Sequence, residues 1–165
     1  MKRLLSIISA ITLLGTSTTS LVACNKTQEY TPEELKELKE KNKIDTADEN
    51  IKNNLEWIAP QEKPFNEVDN RYYFVVWRSD KNDDWKIIKY KYERQGLLEE
   101  YNNFILSINN QKELYIFKKQ GLKGFSTKWN KNNDYFKSVY RWNGEEQKLP
   151  NLIIDTDGNV KVKGE

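Results

Sequence analysis

The sequence predicts an α+β fold: a small antiparallel sheet with one amphipathic helix packed on it, preceded by a helical charged stalk. Three observations predict it. Of the chain's 20 aromatic residues, 18 fall after residue 64, so the apolar material for a core is concentrated there. The same region alternates short β-branched and aromatic runs with Asn, Asp and Gly turns, the pattern of paired strands. Within that region apolar residues recur at helical spacing between Leu97 and Ile108. The expected organisation is residues 1–23 as a removable leader, 24–64 as a stalk and 65–165 as the folded domain.

The leader justifies the first boundary. Lys2 and Arg3 precede an apolar run, Leu4 to Leu14, broken only by Ser6, Ser9 and Thr12. That is the length of a signal-peptide apolar region and too short to span a bilayer. The hydroxyl run Thr16-Ser17-Thr18-Thr19-Ser20 follows, and then Leu21-Val22-Ala23-Cys24. Small Ala23 suits a signal peptidase cutting before Cys24, the only cysteine in the chain, whose thiol would carry a lipid. These residues, together with Asn25 and Lys26, resemble the lipoprotein leaders of mollicutes, of the spiroplasma type in particular. The 22 Lys, 5 Arg and 18 Asn of the chain lean the same way. The resemblance implies cleavage after Ala23, a diacylglycerol thioether on Cys24 and display on the outer face of the plasma membrane. It implies no biochemical activity.

Charge bounds the partners. Without Lys2 and Arg3 the 27 basic residues become 25, against 25 acids, so the mature chain is formally neutral. Nucleic-acid binding loses its electrostatic basis, and membrane attachment falls to the lipid on Cys24, since two acyl chains anchor stably without a basic patch. With its single thiol capped, the domain has no disulfide and folds on its core alone.

Within the stalk, Thr31-Pro32-Glu33-Glu34 is a helix start, with Thr as N-cap, Pro at the first helical position and Glu three residues after the cap. Only Leu35 and Leu38 anchor that helix, which reads as a solvated spacer lifting the domain clear of lipid headgroups. Ile51, Leu55 and Ile58 suggest a second short helix over 50–59. Residues 71–78 and 85–92 predict two strands of a hairpin around the polar loop 79–84. Leu97, Leu98, Tyr101, Phe104, Ile105 and Ile108 predict the amphipathic helix over 96–108. Residues 113–117 predict a third strand, 120–134 a loop carrying Phe125 and Trp129, and 135–142 a fourth strand. Asn143-Gly144 predicts a tight primed turn. Leu152–Ile154 and Val160–Val162 predict a closing hairpin.

Candidate chemistry is narrow. The chain has no histidine and no cysteine beyond Cys24, which excludes Ser-His-Asp and Cys-His catalysis and the usual zinc sites. A carboxylate-dependent hydrolase stays open as an alternative, although no acid pair is picked out by a motif. Asp155-Thr156-Asp157-Gly158-Asn159 and Asp80, Asn82 and Asp84 carry oxygen donors two residues apart. Neither has glycine in the position a calcium loop needs, and the former reads as a turn. No metal or cofactor is expected. The remaining candidates are Trp77, Trp85, Trp129 and Trp142, flat apolar faces with a polar handle. They point to a binding module for a host surface, a glycan or a protein partner, with a structural or accessory lipoprotein as the other alternative.

Overall fold

A computed structural model describes residues 29–119 and 124–165. The leader, Leu21, Val22, Ala23 and Cys24 lie outside the described residues. The order of elements is α1 (Pro32–Lys41), α2 (Glu49–Asn54), β1 (Leu55–Trp57), β2 (Tyr72–Trp77), β3 (Lys86–Lys91), β4 (Gly96–Tyr101), β5 (Phe104–Ile108), β6 (Leu114–Lys118), β7 (Ser126–Lys128), β8 (Phe136–Trp142), β9 (Leu152–Ile154) and β10 (Val160–Val162). All strand pairs are antiparallel: one sheet runs β1-β8-β2-β3, a second runs β4-β5-β6-β7, and β9 pairs with β10. The fold is therefore sheet-rich, with few helices.

The first sheet is buried on both faces. Successive side chains of a strand point to opposite faces, and β2 is apolar at both parities, Tyr-Tyr-Phe-Val-Val-Trp. Tyr73, Val75 and Trp77 meet Leu106 and Ile108 of β5 and Leu114 and Ile116 of β6, so the second sheet covers that face. Phe74 on the other face joins Tyr140 and Trp142 of β8, Ile44, Ile51, Leu55 and Leu152 in a second core. A bulge opposite Val76 and Trp77 leaves Lys137 as the extra residue, which turns both Phe136 and Val139 toward the first core. Burying each such large side chain contributes about 1.5–3 kcal/mol. Trp77 Nε1 donates to Glu99 at 2.7 Å, a polar tie between the two sheets.

The β2–β3 hairpin, β6, β8 and the β9–β10 hairpin lie where the sequence predicts them. Four expectations are corrected. The amphipathic helix over 96–108 is a hairpin, β4 and β5, closed by Asn102 and Asn103 at φ 47° and 63°. Two left-handed residues in a two-residue loop make a primed turn, and Asn tolerates that region better than other non-glycine residues. The helical spacing misled because Leu98, Phe104 and Ile108 reach the first core while Leu97 is 61% exposed. Asn143-Gly144, by contrast, closes no hairpin: neither residue has positive φ, and a short 3-10 helix at Glu146–Lys148 follows. Part of the expected loop over 120–134 is a strand, β7, paired with β6.

The fourth correction concerns the stalk. Its first helix starts as expected, with Thr31 Oγ1 accepting from the Glu34 N–H and Glu34 Oε2 accepting from the Thr31 N–H, and α1 buries no residue. Downstream the segment is part of the domain. Helix α2 ends at Asn54 because Leu55–Trp57 pairs with β8, and Ile44, Thr46, Ile51, Leu55, Ile58 and Ala59 are buried. Helix α1 is fastened by an ionic knot on β1: Glu56 accepts from Lys39 Nζ at 2.7 Å, Arg141 Nη2 at 2.8 Å and Asn143 Nδ2 at 3.1 Å, while Lys39 also reaches Glu62 at 2.6 Å. Burial alone would raise the Glu56 pKa, but the hydrogen bonds from Lys39, Asn143 and Arg141 outweigh it and hold the carboxyl at about 2.

Two outcomes follow. Asn103→Val places a β-branched residue at positive φ and should lower unfolding stability by about 1–2 kcal/mol in urea titration, whereas Asn103→Gly should be neutral or stabilising. A helix over 96–108 would show the reverse order. The folded-state pKa of Glu56 lies below the ordinary 4.5, so its pairing is fully present above that value and is lost as pH falls toward about 2. Because the knot is partly solvated, Glu56→Gln should remove on the order of 1 kcal/mol at neutral pH, and less as acid is approached. Thermal unfolding across that pH range checks it.

Candidate functional site

The architecture brings four distant segments to one end of the sandwich, where they enclose a cleft of about 390 Å³. The first is a short 3-10 helix, Pro60–Glu62, ended by Lys63 in the left-handed region at φ 47°. It leads to Pro64, to Phe65, whose ring is buried in the first core, and to Asn66 on the lip. The second is the β5–β6 turn. Asn109 Oδ1 accepts from the Glu113 N–H at 2.9 Å, and Lys112 sits at φ 62°. That conformation aims Lys112 across the cleft, where its Nζ donates to the Asn66 carbonyl.

The third segment is Lys128–Lys131. The Trp129 N–H donates to the Leu114 carbonyl at 2.9 Å, so the chain stays on the edge of β6 as it leaves β7. This seats the half-buried Trp129 indole with its centroid 6.3 Å from the Phe65 ring. The fourth is the start of the described chain, Glu29 and Tyr30. Gln61 clamps Tyr30 reciprocally, its Oε1 accepting from the Tyr30 N–H at 2.6 Å and its Nε2 donating to the Tyr30 carbonyl at 2.9 Å. Lys131 Nζ lies 4.1 Å over the Tyr30 ring and 3.7 Å from Glu34.

The cleft thus has aromatic walls, Tyr30 and Trp129, the latter backed by the buried Phe65 ring, and carboxamides of Asn66, Gln111 and Asn130 around them. Its two acids are Glu29 and Glu113. Glu113 is held below the usual carboxylate range by its hydrogen bond from Lys128, at 3.0 Å. Every carboxylate with a shifted pKa, Glu56, Glu113, Asp134, Glu146 and Asp155, is shifted downward. A general acid is shifted the other way. What the cleft offers is the indole face of Trp129 beside carboxamide donors and acceptors, with lysines and glutamates at its rim.

The sequence-predicted aromatics separate. Trp129 lines the cleft. Trp77 and Trp142 are 0% and 2% exposed and fill the two cores, so they face no ligand. Trp85 packs structurally: the Arg78 guanidinium lies 4.4 Å over its ring, and Gly158 lies so close that a Cβ there would fall 2.7 Å from the indole. Asp155 caps its own turn, accepting from the N–H groups of Asp157 and Asn159 at 3.0 and 2.9 Å, and Asp80 accepts from the Asn82 N–H at 3.1 Å. Among the described residues no group of acids is placed to hold a metal ion.

A second depression of about 700 Å³ lies between residues 41–47, β8 and the β9–β10 hairpin. Its aromatic, Tyr140, is committed to the Asn42 carbonyl, and Glu165 to Thr46. Tyr30, Phe65, Asn66, Gln111 and Asn130 were not singled out by the sequence, because they meet only through the fold. No protein-family description, curated protein or solved structure matches the chain significantly. Among the described residues no helix is long and apolar enough to cross a membrane.

Gln61→Ala should release the Tyr30 segment. Losing the two hydrogen bonds should cost about 1.4 kcal/mol and speed amide exchange at Tyr30 about tenfold, with exchange in β2 unchanged. Equal exchange in the variant and the parent would show that the clamp contributes nothing.

Proposed function

We propose that the chain is a surface lipoprotein, held in the outer face of the plasma membrane by a lipid on Cys24, and that its domain binds a saccharide-type ligand in the Trp129 cleft. The anchoring half rests on the leader and its cysteine at the cleavage position. The binding half rests on one observation: the half-buried Trp129 indole in a cleft whose rim carries carboxamides among its lysines and glutamates. A sugar ring has an apolar face that stacks on an indole and hydroxyls that pair with amides. A hydrolase needs a carboxyl that keeps its proton near neutral pH, and the downward shift of Glu113 opposes that in this cleft.

The test takes the full lipidated chain in detergent over an oligosaccharide array. At least one saccharide should bind, and Trp129→Ala should weaken it about tenfold or more while the melting temperature stays within a few degrees. Saccharide binding that ignores Trp129, or none at all, removes the binding half. Mass spectrometry of the mature N-terminus tests the anchor. Cys24→Ser should lose the lipid and, once the leader is removed, move to the soluble fraction; full retention of leader-free protein on membranes would remove that half.

A further inference from the structure

We infer that the cleft is a receptor for saccharide headgroups of lipids in the same membrane that carries the protein. This rests on the reading above and adds the source of the ligand. Its basis is the position of the cleft relative to the anchor. A stalk running to residue 64 would hold the domain far from the bilayer, yet Tyr30 is already held on the domain, clamped by Gln61 on both its N–H and its carbonyl. Glu29 and Tyr30 are themselves lining residues of the cleft. Only six residue steps separate Cys24 from Tyr30. Fully extended, six steps reach about 20 Å, so the lip of the cleft stays within that distance of the lipid surface.

A short tether makes an encounter with a ligand in the same membrane intramolecular in effect, with local concentrations on the order of millimolar. The same ligand free in solution gains nothing from the tether. The lining also carries Lys63, Lys112, Lys128 and Lys131 beside Glu29 and Glu113. Phosphate alone is the weaker fit, because Lys112, Lys128 and Lys131 are already engaged with the Asn66 carbonyl, Glu113 and Glu34. The carboxamides of Asn66 and Gln111 have exposed residues and suit hydroxyls.

The experiment reconstitutes the full lipidated chain in phosphatidylcholine vesicles with or without digalactosyldiacylglycerol. It reads acrylamide quenching of Trp129 as the difference between the parent and Trp129→Phe. The glycolipid should lower that quenching about twofold or more, since a bound sugar covers most of a cleft-facing surface. Free galactobiose at the same bulk concentration should protect less. Equal protection in plain phosphatidylcholine or phosphatidylglycerol vesicles would overturn the inference, because the bilayer itself would then cover the indole. Protection by free galactobiose without protection by the glycolipid would overturn the membrane source and leave saccharide binding standing. Protection by neither sugar form, joined to an empty saccharide array, would remove both readings.

Discussion

The structure depends on one strand being buried on both faces. β2 pairs with β3 on one side and β8 on the other, and Tyr73 through Trp77 are all buried. A strand apolar at both parities needs two covers, because leaving either row of side chains in water forfeits several kcal/mol. The second sheet supplies one cover. The other is assembled from segments on either side of β2 in sequence, Ile44, Ile51 and Leu55 from before it and Leu152 with Val160 and Val162 from after it. With Cys24 the only cysteine, no disulfide within the chain closes the fold.

Much of the sheet structure was legible in the sequence. Tyr72–Trp77 and Lys86–Lys91 declare themselves by composition, and the alternation of Ile88, Tyr90 and Tyr92 with lysines places their apolar row, which packs toward the first core. The misread segments share a cause. Between 96 and 108 the apolar spacing satisfies both a helix and two short strands, and the deciding feature is the conformational tolerance of Asn102 and Asn103 rather than any hydrophobic pattern. Asn143-Gly144 has the stronger turn composition yet closes no hairpin. Its neighbourhood is set by tertiary contacts instead: Gly144 lies against the Trp142 indole, leaving no room for a Cβ, and Asn143 pairs with Glu56. Local propensity yields where packing commits the backbone.

The cleft was less legible because it has no local signature. Trp129 could be named, as an aromatic in a glycine-bearing loop, but its partners come from positions 30, 61, 65, 66 and 111 and share no spacing with it. Large aromatics also carry two meanings in a small disulfide-free domain. Trp77 and Trp142 supply core volume, and Trp85 is a packing surface for Arg78 and Gly158. Composition alone cannot separate those roles from that of Trp129, since what separates them is which face of which strand each ring occupies.

Double burial of β2 also decides how the segment before it is held on the domain. A charged segment such as Glu33–Lys43 is soluble as a free spacer, and α1 by itself buries nothing. Ile44, Ile51 and Leu55, however, are required over Phe74, Tyr140 and Trp142, and that requirement draws the preceding helix onto the domain. Once there, Lys39 meets Glu56 and Glu62, and Tyr30 meets Gln61, contacts whose entropic cost is small because both ends are already held. The docking of residues 30–43 is therefore set by the apolar demand of a strand more than 40 residues downstream of Tyr30, and the polar composition of residues 29–43 gives no hint of it.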